Sequence, residues 1–214
     1  MRSDCSPNLI PLNLNAQHMK SSFFLAASYL ITNMAFGQTL TIDPAASKVL
    51  WTATKITGEH TGGVPVKSGT IELSEASLVN ARITLDMEVL TVLDIEDAGT
   101  NAKLLGHLKG PDFFETEKHP EATFTTTTVE KIADALPGKP NYRITGDLTI
   151  KRITLPNTFD CLFWMDGTTA RAAAYLTFDR SKYDIKYRSG TFFPEIGDKA
   201  ISDTVSLTFD VSAK

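Results

Sequence analysis

From Leu40 onward, apolar and polar residues alternate along most of the chain. Val49, Trp51 and Ala53 interleave with Leu50, Thr52 and Thr54. This period of two predicts a strand with one buried face. Residues 68–73 repeat it with Ile71 and Leu73. Residues 82–93 give the clearest case, with Ile83, Leu85, Met87 and Val89 on one face and Arg82, Thr84, Asp86 and Glu88 on the other. Residues 122–129 are threonine-rich, a composition that suits pleated sheet. In 142–150, Tyr142, Ile144, Leu148 and Ile150 share a face, and Gly146 marks a bend or bulge. Strands are also predicted at 157–164, 170–178 and 204–212. Between them, GEHTGG (58–63), 74–80, DIEDAGT (94–100), ADALPGKP (133–140), 151–155 and Asp166-Gly167 read as loops or turns. The pattern predicts an all-β chain of about eight antiparallel strands. Periodicity alone leaves sandwich and closed barrel open.

One stretch breaks the rhythm. Residues 106–124, GHLKGPDFFETEKHPEATF, are too polar and irregular at their centre for a strand. They read as a short helical or looped crossover leading into a strand near Glu121. An amphipathic turn around 103–109 places Leu104, Leu105 and Leu108 on one side. Phe113 and Phe114 then either plug the end of the core or line the mouth of a cavity.

The N-terminus has a different texture. Met19-Lys20 is followed by the apolar run FFLAASYLI (23–31) and by Ala35-Phe36-Gly37 before Gln38. That is the build of a secretory signal peptide, with an apolar run too short to span a bilayer. Residues 1–18 add nothing to such a signal, so translation is expected to start at Met19. The division is then 1–37 as extension and signal, and 38–214 as the β domain, periplasmic or secreted. No stable membrane insertion of the mature chain is expected. Of two cysteines, Cys5 precedes the signal and Cys161 stands alone, so the exported domain has no internal disulfide. Cys161 sits in an apolar strand and reads as an inert buried thiol.

Charge and motifs narrow the function. The net charge is -4 with no Lys/Arg block, which argues against nucleic acid as a partner. His60, His107 and His119 are scattered without HxH or HExxH spacing, so no metal site is expected. There is no glycine-rich phosphate loop before a helix and no GxSxG elbow. Asp94, Glu96 and Asp97 read as a solvated loop. No cofactor is called for. Binding is favoured over catalysis, and the protein is not expected to be an enzyme.

Four ordered elements resemble the YceI family of exported lipid- or polyisoprenoid-binding proteins. These are SKVLW at 47–51 after Ile42-Asp43; His107-Leu108, Asp112-Phe113-Phe114, His119-Pro120 and Ala122-Thr123-Phe124; GDLTI at 146–150 with Thr154 and Pro156; and Phe178-Asp179-Arg180-Ser181 with Tyr183. The resemblance covers about 40–214. It departs at Leu104-Leu105-Gly106, where the family often carries an acid, and at Arg152, where a small residue is usual. It implies an antiparallel eight-stranded lipocalin-like β-barrel with a short helix at the central crossover. It also implies an isoprenoid or fatty-chain amphiphile held along the axis. Trp51, Leu85, Met87, Phe124, Leu148, Phe159 and Phe178 would line that tunnel, or else simply pack a solid barrel. Phe113 and Phe114 would stand at its mouth. His107, Lys109 and Arg180 are candidates for the head-group end. Two competing readings are a small enzyme acting on an isoprenoid- or quinone-like substrate and a ligand-free structural or stress-response barrel. The oligomeric state is left open, a homodimer included.

Overall fold

The computed structural model describes residues 37–214. The predicted extension and signal, except for Gly37, therefore lie outside the described residues. Ten strands form one sheet: β1 (Gln38–Thr41), β2 (Lys48–Lys55), β3 (Gly58–Gly63), β4 (Val66–Ser74), β5 (Ser77–Asp86), β6 (Glu121–Lys131), β7 (Tyr142–Ile150), β8 (Ile153–Asp166), β9 (Thr169–Asp179) and β10 (Ile201–Ala213). Helix α1 (Ala98–Lys109) lies between β5 and β6. The order across the sheet is β1-β4-β5-β6-β7-β8-β9-β10-β2-β3, antiparallel throughout. The strands curl as a half-barrel around one apolar interior. Where β1 runs out, Thr41 N–H donates to the Lys214 carbonyl (2.9 Å) and Lys214 N–H to the Thr41 carbonyl (3.0 Å).

The expected count of eight strands is corrected to ten. Short β1 carries too few residues for a visible alternation. The loop expected at GEHTGG (58–63) is strand β3, whose glycines show no apolar period. It pairs with β2 over its whole length, Trp51 facing Gly62. A Cβ at Gly62 would collide with the Thr91 carbonyl and lie 2.5 Å from the Trp51 ring. Only glycine lets segment 91–93 pass over this strand, where Gly63 N–H and Thr91 N–H donate to each other's carbonyls.

Other boundaries move for local reasons. The long strand expected at 82–93 stops at Asp86, whose side chain accepts from Glu88 N–H and caps a 3-10 turn over Met87–Val89. Met87 stays buried, while Val89 is exposed. Helix α1 starts earlier than 103, because Asp97 accepts from Thr100 N–H at its N-cap. The turn expected at 151–155 is a two-residue hairpin. Lys151 (φ 49°) and Arg152 (φ 65°) take left-handed conformations, and β8 begins at Ile153. The irregularity anticipated at Gly146 falls on the partner strand, where the register shifts between Thr126 and Thr128 of β6.

Candidate functional site

Inward-facing positions of the strands enclose free space in two apolar cavities. The first, about 70 Å³, is bounded by Trp51 and Ala53 of β2, Leu85 of β5, Met87, Leu148 and Ile150 of β7, Phe178 of β9, and Val205 and Leu207 of β10. Leu108 of α1, Phe113 and Phe114 also line it. The second, about 80 Å³, is bounded by Ile71, Ile83, Phe124, Ile144, Phe159, Cys161, Phe209 and Val211 among others. Phe124 pairs across the ladder with Leu148 of the first cavity. Its ring lies 5.3 Å from that of Phe159. A Cβ on Gly146 would strike the Phe124 ring and come within 2.5 Å of the Thr125 carbonyl. Gly146 therefore makes the room in which the Phe124 ring lies along the wall of the second cavity.

Helix α1 and the loop after it cover one end of the first cavity. Asn101 fixes the helix to the preceding segment by donating from Nδ2 to the Val92 and Ile95 carbonyls, each at 3.0 Å. Trp51 Nε1 donates to the Thr91 carbonyl (3.1 Å), so the indole is held in place while its ring faces the cavity. Around the mouth, His107 stands edge-on to Phe113 (4.9 Å) and to Tyr187 (4.4 Å). A recess of about 200 Å³ opens there, lined by Lys55, His60, His107, Tyr187 and Arg188 along with Trp51, Ala53, Leu108, Phe113 and Ile201.

Arg180 lines the first cavity but is only 2% exposed. Its guanidinium makes four hydrogen bonds to main-chain carbonyls: Nε to Ser202, Nη1 to Ile185 and Tyr187, and Nη2 to Ile201. Asp203 Oδ1 stands 3.2 Å from Nη2, close enough for an ion pair but not aligned as a hydrogen bond. Burial pulls the pKa of Arg180 below its ordinary value, and the carboxylates of Asp203 and Asp179 oppose that. This arginine ties the segment after β9 to the start of β10. Burial likewise pushes the Tyr183 hydroxyl and the Cys161 thiol each up to about 12, leaving the thiol protonated and unreactive at neutral pH.

The sequence-predicted residues thus separate into three groups. Trp51, Leu85, Met87, Phe113, Phe114, Leu148, Phe178 and Arg180 meet at the first cavity. Phe124 and Phe159 meet at the second. His107 belongs to the mouth, and Lys109 is not among the residues lining these three spaces. Sequence reasoning missed Ile185, Ile201 and Tyr187, which sit where no apolar alternation marks a strand. It also missed Lys55, His60 and Arg188, which no local pattern joins. Among the described residues, no group of three or more His, Cys, Asp or Glu side chains could hold a metal ion.

A half-barrel of antiparallel strands around an apolar interior, capped by one helix, defines an all-β protein with an internal cavity. Residues 40–213 match the model of the YceI-like domain, and the chain belongs to that family. A UPF0312 protein of Photorhabdus laumondii is 33% identical over 94 residues, which are 44% of this chain and 45% of that relative. The match thus spans less than half of that curated relative. Among solved structures, BcnA of Burkholderia cenocepacia is similar in fold, with TM-score 0.62 and 22% identity over 81% of this chain and 99% of that one. A polyisoprenoid-binding domain from Saccharophagus degradans, implicated in plant cell wall breakdown, gives TM-score 0.58 and 18% identity over 82% and 97% of the two chains.

Proposed function

We propose that this protein holds a long-chain isoprenoid or other amphiphilic lipid inside its curled sheet, for transport, storage or protection, without chemistry of its own. The observation that carries this is the first cavity, whose wall is almost wholly aliphatic and aromatic and which continues into a polar mouth. Each buried CH2 of a chain contributes ~0.8 kcal/mol before ordering costs. The family, and a similar fold in a polyisoprenoid-binding domain, support the reading. Closure of the sheet into a barrel is part of it, supported by the paired main-chain bonds between Thr41 and Lys214. So is export to the periplasm or beyond, supported by the apolar run and small residues before Gln38.

The free volumes of about 70 and 80 Å³ are small beside the ~300–1,000 Å³ of ordinary ligand pockets. A bound chain must therefore displace side chains, and a solid, ligand-free barrel is the second reading. Mass spectrometry of an organic extract, from protein purified out of its native host, separates the two. A stoichiometric long-chain lipid is the expected result; an empty extract from folded, monodisperse protein favours the solid barrel. Leu85→Glu should abolish lipid retention while the circular dichroism of the sheet survives, and undiminished retention would refute the cavity as the site.

A further inference from the structure

The recess at the mouth carries chemistry that the apolar cavity does not explain. Lys55, His60, His107 and Arg188 line it, and no carboxylate does. Lys55 and Arg188 are exposed, and among the described residues neither has an ion-pair partner. The nearby acids stand against the imidazoles, outside the lining. Asp94 Oδ2 is 2.8 Å from His60 Nδ1, and Asp112 Oδ2 is 3.1 Å from His107 Nε2. On each imidazole the second ring nitrogen, His60 Nε2 or His107 Nδ1, has no protein partner among the described residues. Arg188 lies over Tyr187, guanidinium carbon 5.3 Å from the ring centre, and Tyr187 touches His107. Lysine, imidazole and arginine side chains from β2, β3, α1 and the segment before β10 thus converge on one space.

That space is continuous with the apolar interior, since Trp51, Ala53, Leu108, Phe113 and Ile201 line both. The adjoining surface groove, shared at Tyr187 and Arg188, is different. There Asp112 and Asp184 balance Lys151 and Lys186. We infer that the mouth recess binds a phosphate group, and that the ligand is a phosphorylated long-chain lipid whose tail enters the first cavity, rather than a neutral prenol or quinone. This rests on the proposed lipid-binding function. An unpaired lysine and arginine, with two imidazole nitrogens that have no protein partner, exceed what a single carboxylate can use, whereas a phosphate offers up to two charges and three oxygens to a forked guanidinium and a point-charge donor.

The test uses delipidated full-length domain and four probes: farnesyl monophosphate, farnesol, palmitate and inorganic phosphate, with binding read from intrinsic tryptophan fluorescence and calorimetry. Farnesyl monophosphate should bind about tenfold more tightly than farnesol, the scale of two or three exposed charge contacts. In a Lys55→Gln, Arg188→Gln double variant, whose fold is checked by circular dichroism, the ratio of the two affinities should fall toward one. Equal affinity of the wild-type protein for farnesyl monophosphate and farnesol would overturn the phosphate site while leaving lipid binding intact. Palmitate binding as tightly as the monophosphate would overturn it in favour of a general anion mouth. Inorganic phosphate binding as tightly would overturn the lipid source and leave a free-phosphate site. Failure of farnesol and farnesyl monophosphate alike would overturn the proposed function and the inference with it.

Discussion

Arg180 shows how a charge can line an apolar cavity without serving it. Its N–H groups are consumed by the carbonyls of Ser202, Ile185, Tyr187 and Ile201. Replacing it with methionine strands those carbonyls and the Asp203 carboxylate together. Arg180→Met should therefore cost about 3–5 kcal/mol of stability in urea denaturation, and a loss below about 1 kcal/mol would contradict the tie. Gly146 is the other single position on which much depends. A valine there would meet the Phe124 ring and the Thr125 carbonyl, so Gly146→Val should destabilise by about 1–3 kcal/mol or more by the same measurement. At this scale the sequence was partly legible. Alternation put Leu85, Leu148 and Phe178 on the inner face, because a strand offers only two faces. It could not show that Arg180 is used up internally, because its acceptors are carbonyls brought in by the chain's later path.

At the scale of elements, the cap of α1 and several loops hold carboxylates below their ordinary range. Thr100 does this for Asp97, Lys118 for Glu115, Lys186 for Asp184 and Lys214 for Asp43. For Asp94, burial works in the opposite direction, but bonds from His60 and the Thr61 N–H outweigh it and the net shift is also downward. A depressed folded pKa contributes stability that is fully present above the unfolded value and is lost as pH falls through the folded one. Stability should therefore decline progressively below about pH 4, and a flat profile from about pH 5 to about pH 2 in a urea series would refute it. Asp97→Ala should raise amide hydrogen exchange in the first turn of α1 more than in β6 or β7. Elements were legible where side chains alternate and hidden where they do not. The first turn of α1, AGTN, has no apolar stripe, and the Lys151-Arg152 hairpin has neither the glycine nor the asparagine that usually announces one.

Across the whole molecule, the sheet order joins β1 to β4 and β10 to β2, pairings between segments far apart in sequence. No local pattern encodes them, which is why alternation left barrel and sandwich undecided and the family resemblance had to supply the curl. The mouth was hidden for the same reason, since His60, His107 and Arg188 meet only after the sheet has formed. Two apolar spaces, with Leu148 on the wall of the first paired across the ladder to Phe124 on the wall of the second, make chain length a property of the entire interior. Phe124→Ala should enlarge the second space and shift the extracted lipids toward longer chains, at a cost of about 3–5 kcal/mol in stability. An unchanged length distribution would show that the second cavity is not used. Cys161 lies on the wall of that second cavity and is the sole cysteine beyond residue 5. Nature has thus placed a chemical clock inside the domain. Alkylation of this thiol can proceed only during moments when the neighbouring strands part, so its rate counts those openings directly. A tail that reaches the second cavity should slow the clock, while one that stays in the first should leave it ticking at the empty protein's pace.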